Sequence, residues 1–183
     1  YKFAVNKKSE IRFGLGAIKG VGESAVNSIV EERKQNGVYK SFSDFVKRVD
    51  LRSCNKRTIE SLVLSGGFDS FEIDRSRYFH VEDEQSYIEK MIKFGNKIQK
   101  DKSSTQIDIF GDAQEIELES PRAPICEKWK TMEFLSKEKE VVGIYLSAHP
   151  LDDFLFESSN FSNSVIKDIK LLEKNKSRDL FFS

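Results

Sequence analysis

Cysteine and histidine are scarce in this 183-residue sequence: Cys54 and Cys126, His80 and His149. None stands at metal-ligand spacing, which argues against a zinc or iron–sulfur site. Two isolated cysteines make no disulfide framework, which fits a reducing, cytoplasmic setting. No apolar run approaches the length of a membrane span, so no membrane partner is expected. The start, Tyr1–Ala4, carries neither methionine nor a signal-peptide pattern. The close, Arg178–Ser183, is an apolar run that stops, so both ends read as cuts in a longer protein. A net charge is also missing, yet the balance is uneven. Residues 1–64 hold 13 Lys/Arg against 7 Asp/Glu, a net of +6, and the remainder is correspondingly acidic. The basic half suits a polyanion.

What is present centres on Ile11–Val30, IRFGLGAIKGVGESAVNSIV. Leu15 and Ile18 lead into Gly20-Val21-Gly22, and Val26, Ile29 and Val30 share a helical face beyond it. This reads as helix, tight hairpin, helix. Gly20 and Gly22 lack Cβ, so the backbone can take positive φ and let another molecule come close. Val21 tucks back between the helices. The unpaired N–H groups of the second helix point outward with the positive dipole end behind them, which suits a phosphate. Lys19 supplies a counter-charge, and Gly20, Val21, Gly22, Glu23 and Ser24 complete the site, with Ser24 as a hydroxyl donor. Glu23 is a cost there unless it turns away to cap the helix. The pattern resembles the helix-hairpin-helix motif, which binds the DNA backbone without reading sequence. It departs at Val26, where that motif often has Ala. An ordinary helix–helix turn is the alternative for Gly-x-Gly alone.

Around this stretch, Phe3–Val5 and Ile11–Phe13 suggest a small β-hairpin. The helix after the loop should end at Asn36-Gly37. Ser41 or Ser43 caps a short helix, and Asn55 caps another over Lys56–Leu64 with Ile59, Leu62 and Val63 inward. Ser65-Gly66-Gly67-Phe68-Asp69 is either a degenerate repeat of the first hairpin or a plain helix C-cap. As a repeat it gives a weaker second phosphate site of Lys56, Arg57, Gly66 and Gly67. Asp74 should cap a long amphipathic helix to about Lys100, with Tyr78, Val81, Ile88, Met91, Ile92 and Ile98 inward. Residues 101–124 lack periodicity and read as a linker. The apolar island Gln106–Phe110 within it is either a docking peptide or a segment lying back on its own domain. Helical pattern returns from Trp129 to Ile144, with Trp129, Met132, Leu135 and Val142 on one face. His149 has no acid or nucleophile partner and reads as a turn residue before Pro150.

Three motifs stand in one order: IRFGLGAIKGVG with the basic repeat ending SGGFD, then QIDIF, then EVVGIYLSAHPL. Together they resemble the bacterial replicative DNA polymerase III alpha subunits over nearly the whole chain. The resemblance implies a mainly α fold. It comprises a tandem helix-hairpin-helix domain with a short N-terminal β-hairpin (1–73) and a long helix packed on it (74–100). An extended linker (101–124), a helix with the YLSAHPL turn (125–158) and a truncated lead-in to an OB-fold (159–183) follow. It implies a non-catalytic fragment that holds duplex DNA and works with the remainder of the polymerase chain. Gln106, Asp108, Ile109 and Phe110 match that family's peptide for the beta sliding clamp, with Ile109 where Leu or Met is commoner. No cofactor is expected in this stretch, while the parent polymerase is expected to use Mg2+. Two rivals remain: a helix-hairpin-helix DNA glycosylase using Asp44 or Asp50, which needs a pocket for a flipped base, and a DNA-binding adaptor of a repair complex.

Overall fold

A two-stranded hairpin leads into a helical body. The computed structural model describes residues 3–9, 11–103 and 119–162. Strands β1 (Ala4–Val5) and β2 (Ile11–Arg12) pair antiparallel, with Ala4 opposite Arg12 and Val5 opposite Ile11. Phe3 meets Phe13 edge-on at 4.7 Å, and Phe13 joins the core. The helix expected before the glycine loop is a single 3-10 turn, Leu15–Ala17. Gly14 and Gly16 flank Leu15, and so short a segment with two glycines does not offset the cost of helix nucleation.

Helices α1 (Glu23–Asn36), α2 (Phe42–Arg48) and α3 (Lys56–Leu64) follow. Their limits obey local chemistry. Gly37 ends α1 at φ 81°. Ser41 Oγ accepts from the Asp44 N–H at 3.0 Å, and Asn55 Oδ1 accepts from the Thr58 N–H at 3.1 Å. The buried faces meet in one core. Ala25, Val26 and Ile29 of α1 close on Phe42, Phe45, Ile59, Leu62 and Val63. Aromatic rings fill its centre, with Phe42 against Tyr78 at 4.9 Å and Phe45 against Phe68 at 4.8 Å.

The long helix expected from Asp74 to Lys100 is two helices. Asp74 caps only α4 (Arg75–Phe79). A hairpin of β3 (Val81–Glu82) and β4 (Gln85–Ser86) intervenes before α5 (Tyr87–Ser103). Its two-residue turn puts Asp83 and Glu84 at φ 53° and 63°, and Val81 is exposed instead of inward. Gly95 brings α5 close to α2: a Cβ there would stand 2.5 Å from the Val46 carbonyl oxygen. Gln99 donates from Nε2 to the Val46 and Val49 carbonyls, both at 2.9 Å.

The later part of the expected linker is not free of the domain. Arg77 donates to the carbonyls of Ala123 (2.7 Å) and Pro124 (2.5 Å), and Trp129 packs on Phe79 at 5.4 Å. Helix α6 is Thr131–Val142 and buries Leu135, Glu138, Val141 and Val142. Trp129 precedes it and Met132 is half exposed, so neither lies on its inner face as expected. Beyond a 3-10 turn at Asp152–Phe154, α7 (Leu155–Phe161) crosses the expected boundary at 158/159 between the YLSAHPL segment and the OB-fold lead-in. The rest of the expected OB-fold lead-in, residues 163–183, and the peptide Gln106–Phe110 lie outside the described residues.

Candidate nucleic-acid interface

The loop Ile18–Gly22 is built by backbone bonds. Ile18 N–H donates to Leu15 O at 3.2 Å and Val21 N–H to Ile18 O at 3.1 Å, and Val21 is buried. Gly20 sits at φ 89°, in the left-handed region, and its missing Cβ lets α3 close on the loop. A Cβ there would lie 2.7 Å from Ser61 Oγ and 3.8 Å from Arg57 Cγ. Thr58 Oγ1 donates to Gly20 O at 3.2 Å. Gly22 differs from the expectation of positive φ: it is extended at φ −78° and serves as N-cap of α1. Nothing lies within 4 Å of where its Cβ would be, so its value is open space in front of the helix start.

No side chain caps α1, and the first-turn N–H groups of Glu23, Ser24 and Ala25 have no partner within the helix. Glu23 and Ser24 are exposed beside them. Among the described residues Glu23 makes no capping hydrogen bond, so of the two alternatives its charge remains a cost beside a phosphate. Lys19 is exposed, and its own N–H donates to Val141 O at 2.8 Å, joining the loop to the end of α6.

The four residues expected to form a second site are not brought together. Lys56 and Arg57 open α3, whereas Gly66 and Gly67 lie past its other end, nine residues or about 13 Å away. The glycine corner is the plain C-cap: Gly66 N–H donates to Val63 O and Gly67 N–H to Leu62 O. Gly66 is packed on its Cβ side, where an added Cβ would run into the Arg75 guanidinium and the Asp69 carboxylate, while Gly67 is exposed. Arg57 instead belongs beside Gly20. Among the described residues neither Lys19 nor Arg57 joins an ion pair. Lys56 does, with Nζ 2.9 Å from Glu89 and 3.8 Å from Glu60. Lys56 and the Ser86 N–H and hydroxyl hold the Glu89 carboxyl down to about 2.

Arg75, Asp69 and Glu138, beside the Gly66 corner, carry an ion network that sequence reasoning missed. Arg75 grips Asp69 with Nε at 2.9 Å and Nη2 at 2.6 Å, and donates from Nη1 to Leu64 O and to Glu138. Its guanidinium lies 4.5 Å from the Phe134 ring centre. Glu138 also accepts from the Leu146 and Ser147 N–H groups and from Ser147 Oγ. Burial raises the Glu138 carboxyl, but the donors at Ser147, Leu146 and Arg75 outweigh it and hold it below the usual range. A partner 63 positions away leaves no periodic signal in the sequence.

The carboxylates proposed for base excision serve local structure. Asp44 pairs with Arg48 at 2.9 Å and accepts from the Lys40 N–H. Asp50 accepts from Ser53 Oγ and from the N–H groups of Arg52 and Ser53, and the Ser53 hydroxyl leads in holding it below its usual range. The cleft lined by Ile73, Arg77, Cys126, Lys128 and Phe134 contains neither. His149 is a turn residue as expected: Nδ1 accepts from the Leu151 N–H, and its own N–H donates to Asp152. Among the described residues no three His, Cys, Asp or Glu side chains are grouped to hold a metal ion, and no helix is long and apolar enough to cross a membrane.

A family model described as the helix-hairpin-helix motif matches residues 1–78. The chain is 35% identical to DNA polymerase III subunit alpha of Pasteurella multocida and 34% identical to that of Haemophilus influenzae, over 92% of its length in each case. It is 32% identical to the Escherichia coli subunit over 96% of its length. The chain spans only 14% to 15% of the length of these relatives. On the motif match and on identity sustained across nearly all of its residues, the chain belongs to the DNA polymerase III alpha-subunit family.

Proposed function

We propose that this stretch holds duplex DNA by its backbone phosphates within a replicative polymerase. One observation carries the reading. The first turn of α1 has N–H groups without an intrahelical partner or a side-chain cap, and it starts at a glycine with free space around its Cβ position, near the exposed cations Lys19 and Arg57. A phosphate oxygen accepts from such groups, and the positive end of the helix dipole favours its charge. The contact reads no base, which suits a polymerase that must hold any sequence. DNA-directed DNA synthesis is then the task of the whole polymerase. Its catalytic carboxylates and the Mg2+ expected with them belong to other parts of that protein.

The reading extends to Gln106, Asp108, Ile109 and Phe110 as the peptide that docks on the beta sliding clamp. Phe110 and Ile109 fill an apolar pocket, and Gln106 hydrogen-bonds at its rim. Support comes from the flanks. Gln99 fixes α5 to α2 before the peptide, and Arg77 fixes Ala123 and Pro124 to α4 after it. A clamp peptide fixed on both sides to the DNA-holding domain gains effective concentration whenever that domain is on DNA.

Fluorescence anisotropy with two unrelated duplexes tests the DNA reading. Equal affinity for both, falling steeply with salt, is expected because binding rests on counterion release. A salt-insensitive or strongly sequence-selective complex overturns it. Gln106→Ala with Phe110→Ala should abolish capture by immobilised clamp and leave duplex affinity intact.

A further inference from the structure

The hairpin loop and helix α6 complete each other. Val141 lies in the last turn of α6, where carbonyls lack an intrahelical donor. Its oxygen receives the Lys19 N–H at 2.8 Å, so a loop residue caps a helix that begins more than a hundred positions later. The position of α6 is fixed from its other contacts. Glu138, one turn before Val141, is fully buried and takes four donors from Arg75, Leu146 and Ser147. Val141 and Val142 enter the same core as Ile18 and Val21. Gly143 ends the helix in the left-handed region at φ 87°, with open space around it, and its N–H donates to Lys139 O at 2.8 Å.

From this geometry we infer that α6 is a brace that sets the hairpin's phosphate-facing amides, and that Glu138 is its positioning residue. The motif match ends at residue 78, yet the loop's shape depends on residues 138–147. The inference rests on the phosphate-holding reading above. Neither Glu138 nor Gly143 touches DNA in it. Loosening α6 frees the Lys19 amide, lets the Ile18–Gly22 loop sample other conformations, and misplaces the first-turn donors Glu23–Ala25. The number of cations facing the phosphates stays the same. Affinity therefore falls without a change in the salt slope, whereas removing the Lys19 side chain lowers the slope.

The test uses the 183-residue chain and a 20-base-pair duplex, with affinity measured across a salt series and Lys19 amide exchange followed by NMR. Lys19→Ala should reduce the slope of log affinity against log salt by about one. Glu138→Gln and Gly143→Ala should each weaken binding several-fold at unchanged slope and speed Lys19 amide exchange by about tenfold, the scale of a lost hydrogen bond. Gly143→Asn, which tolerates the left-handed cap, should restore affinity. Gly143 is on the surface, so its variants keep the test decisive where Glu138→Gln impairs folding. Faster Lys19 exchange with unchanged DNA affinity overturns the brace. So does a slope that falls with Glu138→Gln as it does with Lys19→Ala. If Lys19→Ala changes nothing, or the unmodified chain does not bind the duplex, the phosphate reading fails and the brace with it.

Discussion

Arg75 and Glu138 stand 63 positions apart and meet at 3.0 Å, with 7% and 1% of their side chains exposed. Burying two charges is costly, and their mutual attraction offsets that cost only when the remaining polar atoms are also satisfied. Here they are. Asp69 and the Leu64 carbonyl take the rest of the guanidinium, and Leu146 and Ser147 serve the second carboxylate oxygen. The pair ties α4 to α6 and to the turn that follows, across the back of the glycine corner.

Removing one partner leaves the other charge buried. Glu138→Ala should cost about 3–5 kcal/mol, read as a shift in the denaturant midpoint at constant slope. The acid dependence has a defined sign. The folded carboxyl lies below its ordinary value of 4.5, so its contribution is full above about that pH and is lost as pH falls through the lower folded value. Glu32, Asp50 and Asp74 are held low in the same direction. Glu138→Gln should therefore flatten the loss of stability in acid only in part. An unchanged acid profile would place the charge on another group.

Two tyrosines separate a hydrogen bond from burial. The Tyr78 hydroxyl is buried and has no hydrogen-bond partner among the described residues, and burial pushes its phenol above the ordinary range. Tyr78→Phe should be neutral or stabilising by up to about 1 kcal/mol, because it removes an unsatisfied group and keeps the ring against Phe42. Tyr39 donates to Ile29 O at 3.1 Å. Tyr39→Phe should cost about 1 kcal/mol. Thermal denaturation of the two variants side by side decides the point, and equal losses would be inconsistent with it.

Glycine at position 95 serves contact between helices. In a helix interior, Gly→Ala normally gains up to about 1 kcal/mol from propensity. At Gly95 the new methyl would meet the Val46 carbonyl at 2.5 Å and Leu51 Cδ1 at 2.9 Å, and the backbone carbonyl cannot swing aside. The clash should win, with Gly95→Ala destabilising by about 1–3 kcal/mol, as overpacking does. A stabilised Gly95→Ala would mean that α2 and α5 are further apart.

What was legible in the sequence was local. The caps Ser41 and Asn55 act over three residues, so residue type and spacing suffice to find them. Asp74 was legible as a cap, but not the length of its helix. The apolar residues before and after Val81–Ser86 stay in helical phase, and Asp83-Glu84 is not the Asn-Gly or Asp-Gly pair that announces a two-residue turn. At the interface, the tight corner Ile18–Gly22 was legible from its glycines, although only Gly20 takes positive φ. The grouping of Lys56, Arg57, Gly66 and Gly67 did not hold, because adjacency in sequence says nothing of which end of α3 meets which partner. Arg57 facing Gly20 and Arg75 filling the Gly66 corner are tertiary facts.

The two loop glycines should separate stability from binding. Gly20→Ala forces a left-handed φ of 89° on a side chain that meets Ser61, and should cost about 1–3 kcal/mol of stability as well as affinity. Gly22→Ala has an ordinary φ of −78° and empty space, so stability should stay within about 0.5 kcal/mol. Its methyl would stand where a phosphate must approach, and duplex affinity should fall several-fold. Unchanged affinity for Gly22→Ala would move the contact away from the start of α1.

Adjacent cations on α3 should differ in what they contribute. Arg57 is exposed and lies against the loop, and Arg57→Ala should reduce the salt slope by about one. Lys56 is held by Glu89 at 2.9 Å, so part of its charge is already answered and Lys56→Ala should reduce the slope by less. Among the described residues, Glu89→Gln leaves Lys56 only its longer pair with Glu60 at 3.8 Å. It should raise duplex affinity, and in that background Lys56→Ala should become more costly than it is with Glu89 intact. Salt series on the unmodified chain, Lys56→Ala, Glu89→Gln and the double variant form a double-mutant cycle between Lys56 and Glu89. Equal slopes for Lys56→Ala and Arg57→Ala while Glu89 is intact would show that the Glu89 pair does not restrain Lys56 at the DNA surface.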